Sequence, residues 1–412
     1  TLRLDDPRVR AIRVEPDRSK PMPYSYAFAR SMVPNYMRLP TASEQLEQEP
    51  GLDQLLKGQP ALSAEAAALA AGANDVPLGR NGLAIGPVPA SVVPLDERAR
   101  FGGSGPDDVP WWLQGARQIP NLAPFDVPPG ALVARTAQRN AGVALIGTFV
   151  GDASALSRRF AVTTDGRLMP TDKLRSETGS VFHGQDLRDI GLPVAFAWKN
   201  SGRVWSLERG RLMPGRALAK REFVPLSGNV RMMGGARMVE ARDGHWLKSD
   251  DLRIAMKPSE LPWYAQRDRR WLDVSILNQL LVAWEGDRPV FATLVSTGKD
   301  GLGDPRRSLS TPQGTFRIQQ KHITTTMDSS AADSEFELRE VPWVMYFQGG
   351  YALHGAYWHD DFGRKRSHGC VNLSPIDARH VFEWSLPDVP EHWHGAYATD
   401  SFGPGTLIRI GR

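Results

Sequence analysis

Cysteine is almost absent from this chain: 412 residues contain one, Cys370. No internal disulfide can form, and the paired cysteines from which zinc ribbons are built are missing. Long apolar runs are missing too; none approaches the roughly 20 residues that span a bilayer. Neither sign of charge dominates, with 50 Lys and Arg against 46 Asp and Glu. The basic residues are interspersed with acids, so the clustered footprint of a nucleic-acid binder is lacking. Gly298-Lys299-Asp300-Gly301-Leu302-Gly303 is glycine-rich but lacks the Gly-Lys-Ser/Thr ending of a phosphate loop, and reads as a strand-connecting loop. The chain opens at Thr1 with neither methionine nor apolar leader, which sets the expectation of a processed or trimmed N-terminus, any export signal having gone from view. The lone cysteine is silent on compartment, because an exported enzyme with a catalytic thiol gains by having no second thiol to oxidise it.

What is present is a folded composition, 41% hydrophobic and 23% charged, in a chain too long for one core. Three parts are expected. Residues 1–130 hold more than half of the 32 prolines and read as a Pro-rich arm with short helices. One helix opens at Ser43-Glu44-Gln45-Leu46 and another covers Pro60 to Ala71. The aromatic run Tyr24-Ser25-Tyr26-Ala27-Phe28 and the pair Trp111-Trp112 favour an arm packed on the rest over a loose tether. Residues 131–258 are β-rich and contain a weak internal repeat. Asp165-Gly166-Arg167-Leu168 and Asp243-Gly244-His245-Trp246 each open a turn, a short strand and a second turn ending in Asp-x-Leu-Arg. Residues 259–412 alternate apolar and polar at strand length, with one clear helix over 375–385 and a polar, irregular loop over 324–338.

The chemistry gathers near the C-terminus. Cys370 lies in Ser367-His368-Gly369-Cys370-Val371-Asn372, sixteen positions after His354. A lone cysteine is most often a buried structural thiol. Here its neighbours are small or polar, and two histidines are at hand to take its proton. His368, two residues away, would face the same side of an extended segment. Gly369 removes bulk beside the thiol and exposes backbone N–H groups, its own and that of Cys370, to an oxyanion. Ser367 is suited to shape the turn. The set His354, His359, His368 and Cys370 raises a zinc reading, but its spacing matches no zinc motif, and a bound metal would quench the nucleophile. His392-Trp393-His394 is a weaker pair of the same kind. No metal and no organic cofactor are expected.

These residues carry a resemblance. His354 followed by Ser-His-Gly-Cys-hydrophobic-Asn is similar to the L,D-transpeptidases that cross-link peptidoglycan. Leu294-Val295-Ser296-Thr297-Gly298, Ser310-Thr311-Pro312-Gln313-Gly314-Thr315-Phe316 and Asn372-Leu373-Ser374-Pro375 resemble further family blocks, in the family's order. The likeness covers about the last third of the chain. It implies a mostly-β sandwich with one main helix, Cys370 as nucleophile and His354 as general base or imidazolium partner. It implies that the Gly355 carbonyl orients His354 and that His368 supports. Asn372, Trp358, Tyr346 and Tyr351 are its candidates for contacting substrate, with plain packing an equal reading for Trp358. A hairpin near 324–338 would act as a lid. The Asp-Gly repeat resembles the signature of bacterial SH3-like barrels, which would make 131–258 a wall-binding region; coincidental hairpin chemistry is the competing reading.

The expected activity is transfer of an acyl group from a tetrapeptide stem to an amine of a neighbouring stem, through a Cys370 thioester, in the periplasm or cell envelope. Water as acceptor would make a carboxypeptidase or cross-link hydrolase. A wall-anchored protein as acceptor would make an attachment enzyme. Carbapenems are expected to acylate the thiol. Neither nucleic acid nor a transmembrane segment enters this reading.

Overall fold

The computed structural model describes residues 15–57, 131–266, 268–329 and 336–412. The second helix expected at Pro60 to Ala71, Trp111-Trp112 and the tip of the expected lid lie outside these residues. The fold is mostly β, with three α-helices among the described residues. The chain forms two compact units: the described residues of 3–178 with those of 324–341, and those of 179–323 with those of 342–412. No helix of the described residues is long and apolar enough to cross a membrane.

In the first unit the aromatic run becomes the strand Ser25–Ala29, which pairs with Gly142–Val150 on one side and Leu174–Glu177 on the other. Val33–Tyr36 pairs with Val133–Ala137. The start of the Pro-rich segment is therefore woven into the sheet that residues 133–177 build, so residues 131–178 share a core with it. The helix expected at Ser43 runs Ala42–Gln48, capped by Thr41 in a capping box with Glu44. Behind it Glu49, fully buried, is held by Arg158 at 2.9 Å, Lys173 at 2.9 Å and the Tyr36 hydroxyl at 2.7 Å. A buried carboxylate needs that number of partners to stay charged.

Of the expected loop at 324–338, residues 324–329 belong to the strand Gln320–Ser329 and residues 336–338 to the strand Phe336–Gln348, and the two strands pair with one another. Several polar residues on these strands find partners within the first unit. Tyr26 donates to the Glu340 carbonyl, Thr324 and Thr164 donate to the Glu340 carboxylate, Arg135 pairs with Glu337, and Leu338 stands beside Gly142 in parallel register. Polarity misled the sequence reading because these side chains are satisfied by each other rather than by water.

In the second unit a seven-stranded sheet is built from residues 194–255 and a six-stranded sheet from residues 185–186, 270–294, 314–317 and 407–411. Trp271 and Trp284 face each other across two strands of the latter, centroids 5.1 Å apart. Its other face packs on Trp343, Met345, Phe347, Leu353, Val371 and Leu373, with Ala378, Val381 and Phe382 of the helix Pro375–Trp384 closing the core. That helix begins where Ser374 caps it and proline takes its first turn.

The two Asp-Gly segments have the same local structure, one in each unit. Each runs through a positive-φ glycine, a three-residue strand, a three-residue 3₁₀ turn and a four-residue strand: Leu168–Pro170 to Leu174–Glu177, and Trp246–Lys248 to Leu252–Ala255. The residues before the two 3₁₀ turns, Pro170 and Lys248, have φ/ψ of −61/126° and −70/126°. Trp246 is buried, as Leu168 is.

Candidate active site

Strand Tyr351–Gly355 places His354, and the parallel neighbour Val371–Leu373 continues from Cys370. The register sets His354 beside Asn372. Paired residues of a parallel ladder project to one face, and so does a residue two positions away. Leu353, Val371 and Leu373 enter the core, which leaves His354, Asn372 and Cys370 to the opposite face. The antiparallel partner of Ala352 is Tyr346, on that same face.

His354 is 2% exposed and its Nδ1 lies 3.3 Å from the Gly355 carbonyl. A carbonyl only accepts, so Nδ1 carries the proton and Nε2 offers a lone pair. Burial pushes the imidazole down to about 4. The Cys370 thiol is half-buried, directed at the Gly350 carbonyl at 3.8 Å, and burial pushes it up to about 11. Desolvation thus disfavours the charged form of each group, the thiolate and the imidazolium alike. Gly355 has no room for a side chain: a Cβ would meet Pro342 and Pro375 at 3.0–3.3 Å.

The loop before Cys370 is shaped by Ser367, whose hydroxyl accepts from the Gly369 N–H at 3.0 Å and donates to the Cys370 carbonyl. This corrects one expectation. The Gly369 N–H is already engaged, and no such bond holds the Cys370 N–H among the described residues, so the latter is the donor left for an oxyanion. Gly369 has φ +124°, and a Cβ there would lie 2.5 Å from the Tyr351 ring. Tyr351 supports the loop from below and ties its hydroxyl to the Pro305 carbonyl at 3.2 Å. His368 stands exposed on the loop while His354 is buried, with desolvation and Lys299 lowering its basicity. Trp358 lies 5.5 Å from the His354 ring and packs on the neighbouring core. Tyr346 packs edge-on against His322.

The segment 356–366 joins the two strands of the site, and residues far upstream hold it. Asp360 receives Arg221 through both guanidinium nitrogens at 2.5 and 2.7 Å, Lys220 at 3.0 Å, and the Ser180 hydroxyl. Arg253 donates to the Gly363 carbonyl at 2.9 Å, and Phe182 stacks on Phe362. His359 is buried between the Asp361 N–H and Asn372. That N–H occupies the Nδ1 lone pair, so His359 is not arranged as a metal ligand with His354 and Cys370. Sequence reasoning missed Ser180, Lys220, Arg221 and Arg253, which have no spacing relation to the cysteine; the only trace was the length of chain assigned to a separate region.

The catalytic-domain model of the YkuD family, L,D-transpeptidase catalytic domain, matches residues 269–410. "Putative L,D-transpeptidase YciB" of Bacillus subtilis is 26% identical over 134 residues, 30% of this chain. The chain spans 62% of that relative's length. Among solved structures, an L,D-transpeptidase of Xylanimonas cellulosilytica is 21% identical, covering 38% of this chain and 64% of its own, with a TM-score of 0.25. An L,D-transpeptidase from Mycobacterium smegmatis is 17% identical, covering 54% and 92%, with a TM-score of 0.27. Residues 269–410, which carry His354, Cys370 and Asn372, thus match the family of L,D-transpeptidase catalytic domains.

Proposed function

We propose that the chain is a peptidoglycan L,D-transpeptidase of the cell envelope that works through a thioester on Cys370. The observation that carries this reading is the placement of Cys370 and the buried His354 on one face of neighbouring parallel strands, inside the matched segment. Cys370 Sγ attacks the carbonyl carbon of the amide after the third residue of a tetrapeptide stem. The S–C bond forms as the thiol proton passes to His354 Nε2. The Cys370 N–H faces the oxygen that gains charge. The C–N bond then breaks, and His354 returns the proton to the amine of the departing D-alanine. An amine of a second stem attacks the thioester, loses its proton to His354, and the thiol is regenerated by that proton. Each step balances with these residues alone.

The seven-stranded sheet of residues 194–255 serves, in this reading, as a wall-binding module. Its Asp-Gly segment and SH3-like signature support that role, and the Asp360 contacts add a second one, holding the segment next to His354.

Incubation with purified tetrapeptide muropeptides, followed by mass spectrometry, tests the proposal. Cross-linked dimers with loss of D-alanine are expected, and none from Cys370→Ala. Trimmed tripeptide monomers alone would transfer the acceptor role to water. Unchanged tetrapeptides would overturn the reading.

A further inference from the structure

Asn372 holds the least explained atoms of the site. Its carboxamide is 2% exposed, its Nδ2 is placed 3.0 Å from His359 Nε2, and its Oδ1 has no hydrogen-bond partner. The other nitrogen of His359 decides which amide atom is which. The Asp361 backbone N–H donates to His359 Nδ1 at 3.2 Å, so Nδ1 carries a lone pair. Burial keeps this imidazole neutral, down to about 3. A neutral ring has one N–H, which must then be on Nε2. An N–H needs an acceptor, and only the amide oxygen of Asn372 can supply it. Oxygen and NH2 are nearly the same size, so turning the amide costs no space. One rotation removes both the opposed donors and the orphaned oxygen.

The NH2 then occupies the partnerless position. It is a buried donor on the face of the sheet shared with His354 and Cys370. The arrangement is held from behind as well: the Ser296 hydroxyl donates to the Asp361 carbonyl at 3.1 Å, and Ser296 brackets Asn372 through both backbone bonds at 2.9 Å. A buried donor without an acceptor is costly unless a ligand completes it.

We propose that His359 is a positioning residue: it turns the Asn372 carboxamide so that its N–H donates to a carbonyl oxygen of the acyl group bound at Cys370. This rests on the function proposed above. His359 touches no reacting atom; of the two residues, Asn372 is the one assigned to the acyl oxygen.

Two measurements test it on the full chain. Long-range 1H–15N correlation should find His359 protonated on Nε2; a proton on Nδ1 overturns the proposal. Single-turnover acylation of Cys370 by a small β-lactam should slow by ~10²-fold in Asn372→Asp, which keeps the shape and loses the donor. His359→Ala should approach that rate, and His359→Gln, which keeps an N–H, should recover most of it. Mere packing would give no such rescue, and wild-type rates in Asn372→Asp or His359→Ala overturn the role. A wild-type protein that takes no acyl group sinks the functional reading and this role with it. Acylation of wild type together with an equally fast Asn372→Asp sinks this role alone.

Discussion

His183 Nδ1 lies 2.7 Å from Oδ1 of Asp377, a carboxylate with no exposed surface in the first turn of the helix Pro375–Trp384. The Gly184 N–H reaches the same oxygen at 2.9 Å, and the Thr293 hydroxyl donates to the other. Next along the chain, Gln185–Asp186 adds an edge strand to Phe291–Ala292 of the six-stranded sheet. A short upstream segment thus completes the surroundings of the helix that follows the cysteine strand.

This relationship bears on where the domain can be cut. A fragment 259–412 leaves the Asp377 carboxylate buried with fewer donors, exposes the sheet edge and removes every partner of Asp360. Reduced solubility and a lowered Tm are expected for it, compared by thermal unfolding with the full chain. Because His354 and Cys370 both lie within 259–412, the motif taken alone would leave such a fragment open to acylation. Equal Tm and acylation rate in the two would restore that view and leave residues 179–258 a purely wall-directed role.

The His183–Asp377 bond should make stability depend on pH. Asp377 raises the imidazole above its ordinary range, so the folded state binds the proton more tightly than the unfolded chain. The charge-dependent contribution is complete below the ordinary histidine range and is lost as pH rises through the folded value. Because His183 is half exposed, it amounts to about 1 kcal/mol or less. Denaturant melts of wild type and His183→Asn should differ more at about pH 5 than at about pH 8. A difference that grows with pH would contradict the assignment.

Acylation should report the desolvation of this pair. With His354 pushed down to about 4 and Cys370 up to about 11, the rate should stay flat through neutrality. It should fall on acidification as Nε2 gains a proton, and rise on the alkaline side as the thiolate forms. An ion pair formed in the neutral range would instead give a step there. His354→Ala should slow acylation by ~10²–10⁴-fold, and His368→Ala, an exposed residue, by less. The reverse order would move the base to His368.

Gly369→Ala meets two obstacles at once, a φ of +124° and the Tyr351 ring 2.5 Å from the new Cβ. A loss of about 1–3 kcal/mol in stability is expected, with acylation slowed by up to ~10²-fold as Cys370 shifts. A variant with wild-type Tm and rate would mean that the loop relaxes freely and that its shape is not needed.

Much of the catalytic domain was legible in the residue order. Apolar alternation marked Arg270–Ser275, Leu280–Glu285 and Arg288–Leu294, and Ser374-Pro375 marked the start of the main helix. The strands through Thr324 and Glu340 were not legible in the residue pattern, where only the resemblance implied a hairpin, because they are polar and their bonding partners, Tyr26, Arg135 and Thr164, lie far away in the chain. Nor did anything near Asp360 announce Ser180, Lys220 and Arg221.

By itself the sequence determined which groups could do chemistry: one thiol, a histidine sixteen residues before it, and a glycine that removes bulk beside the thiol. These follow from residue type and short spacing, which local geometry translates directly. Only the tertiary structure decided their states. Burial set the protonation of Cys370 and His354, the Asp361 N–H set the tautomer of His359, and that tautomer set the orientation of Asn372. Protonation and orientation depend on what surrounds a group in space, and most of those neighbours come from elsewhere along the chain.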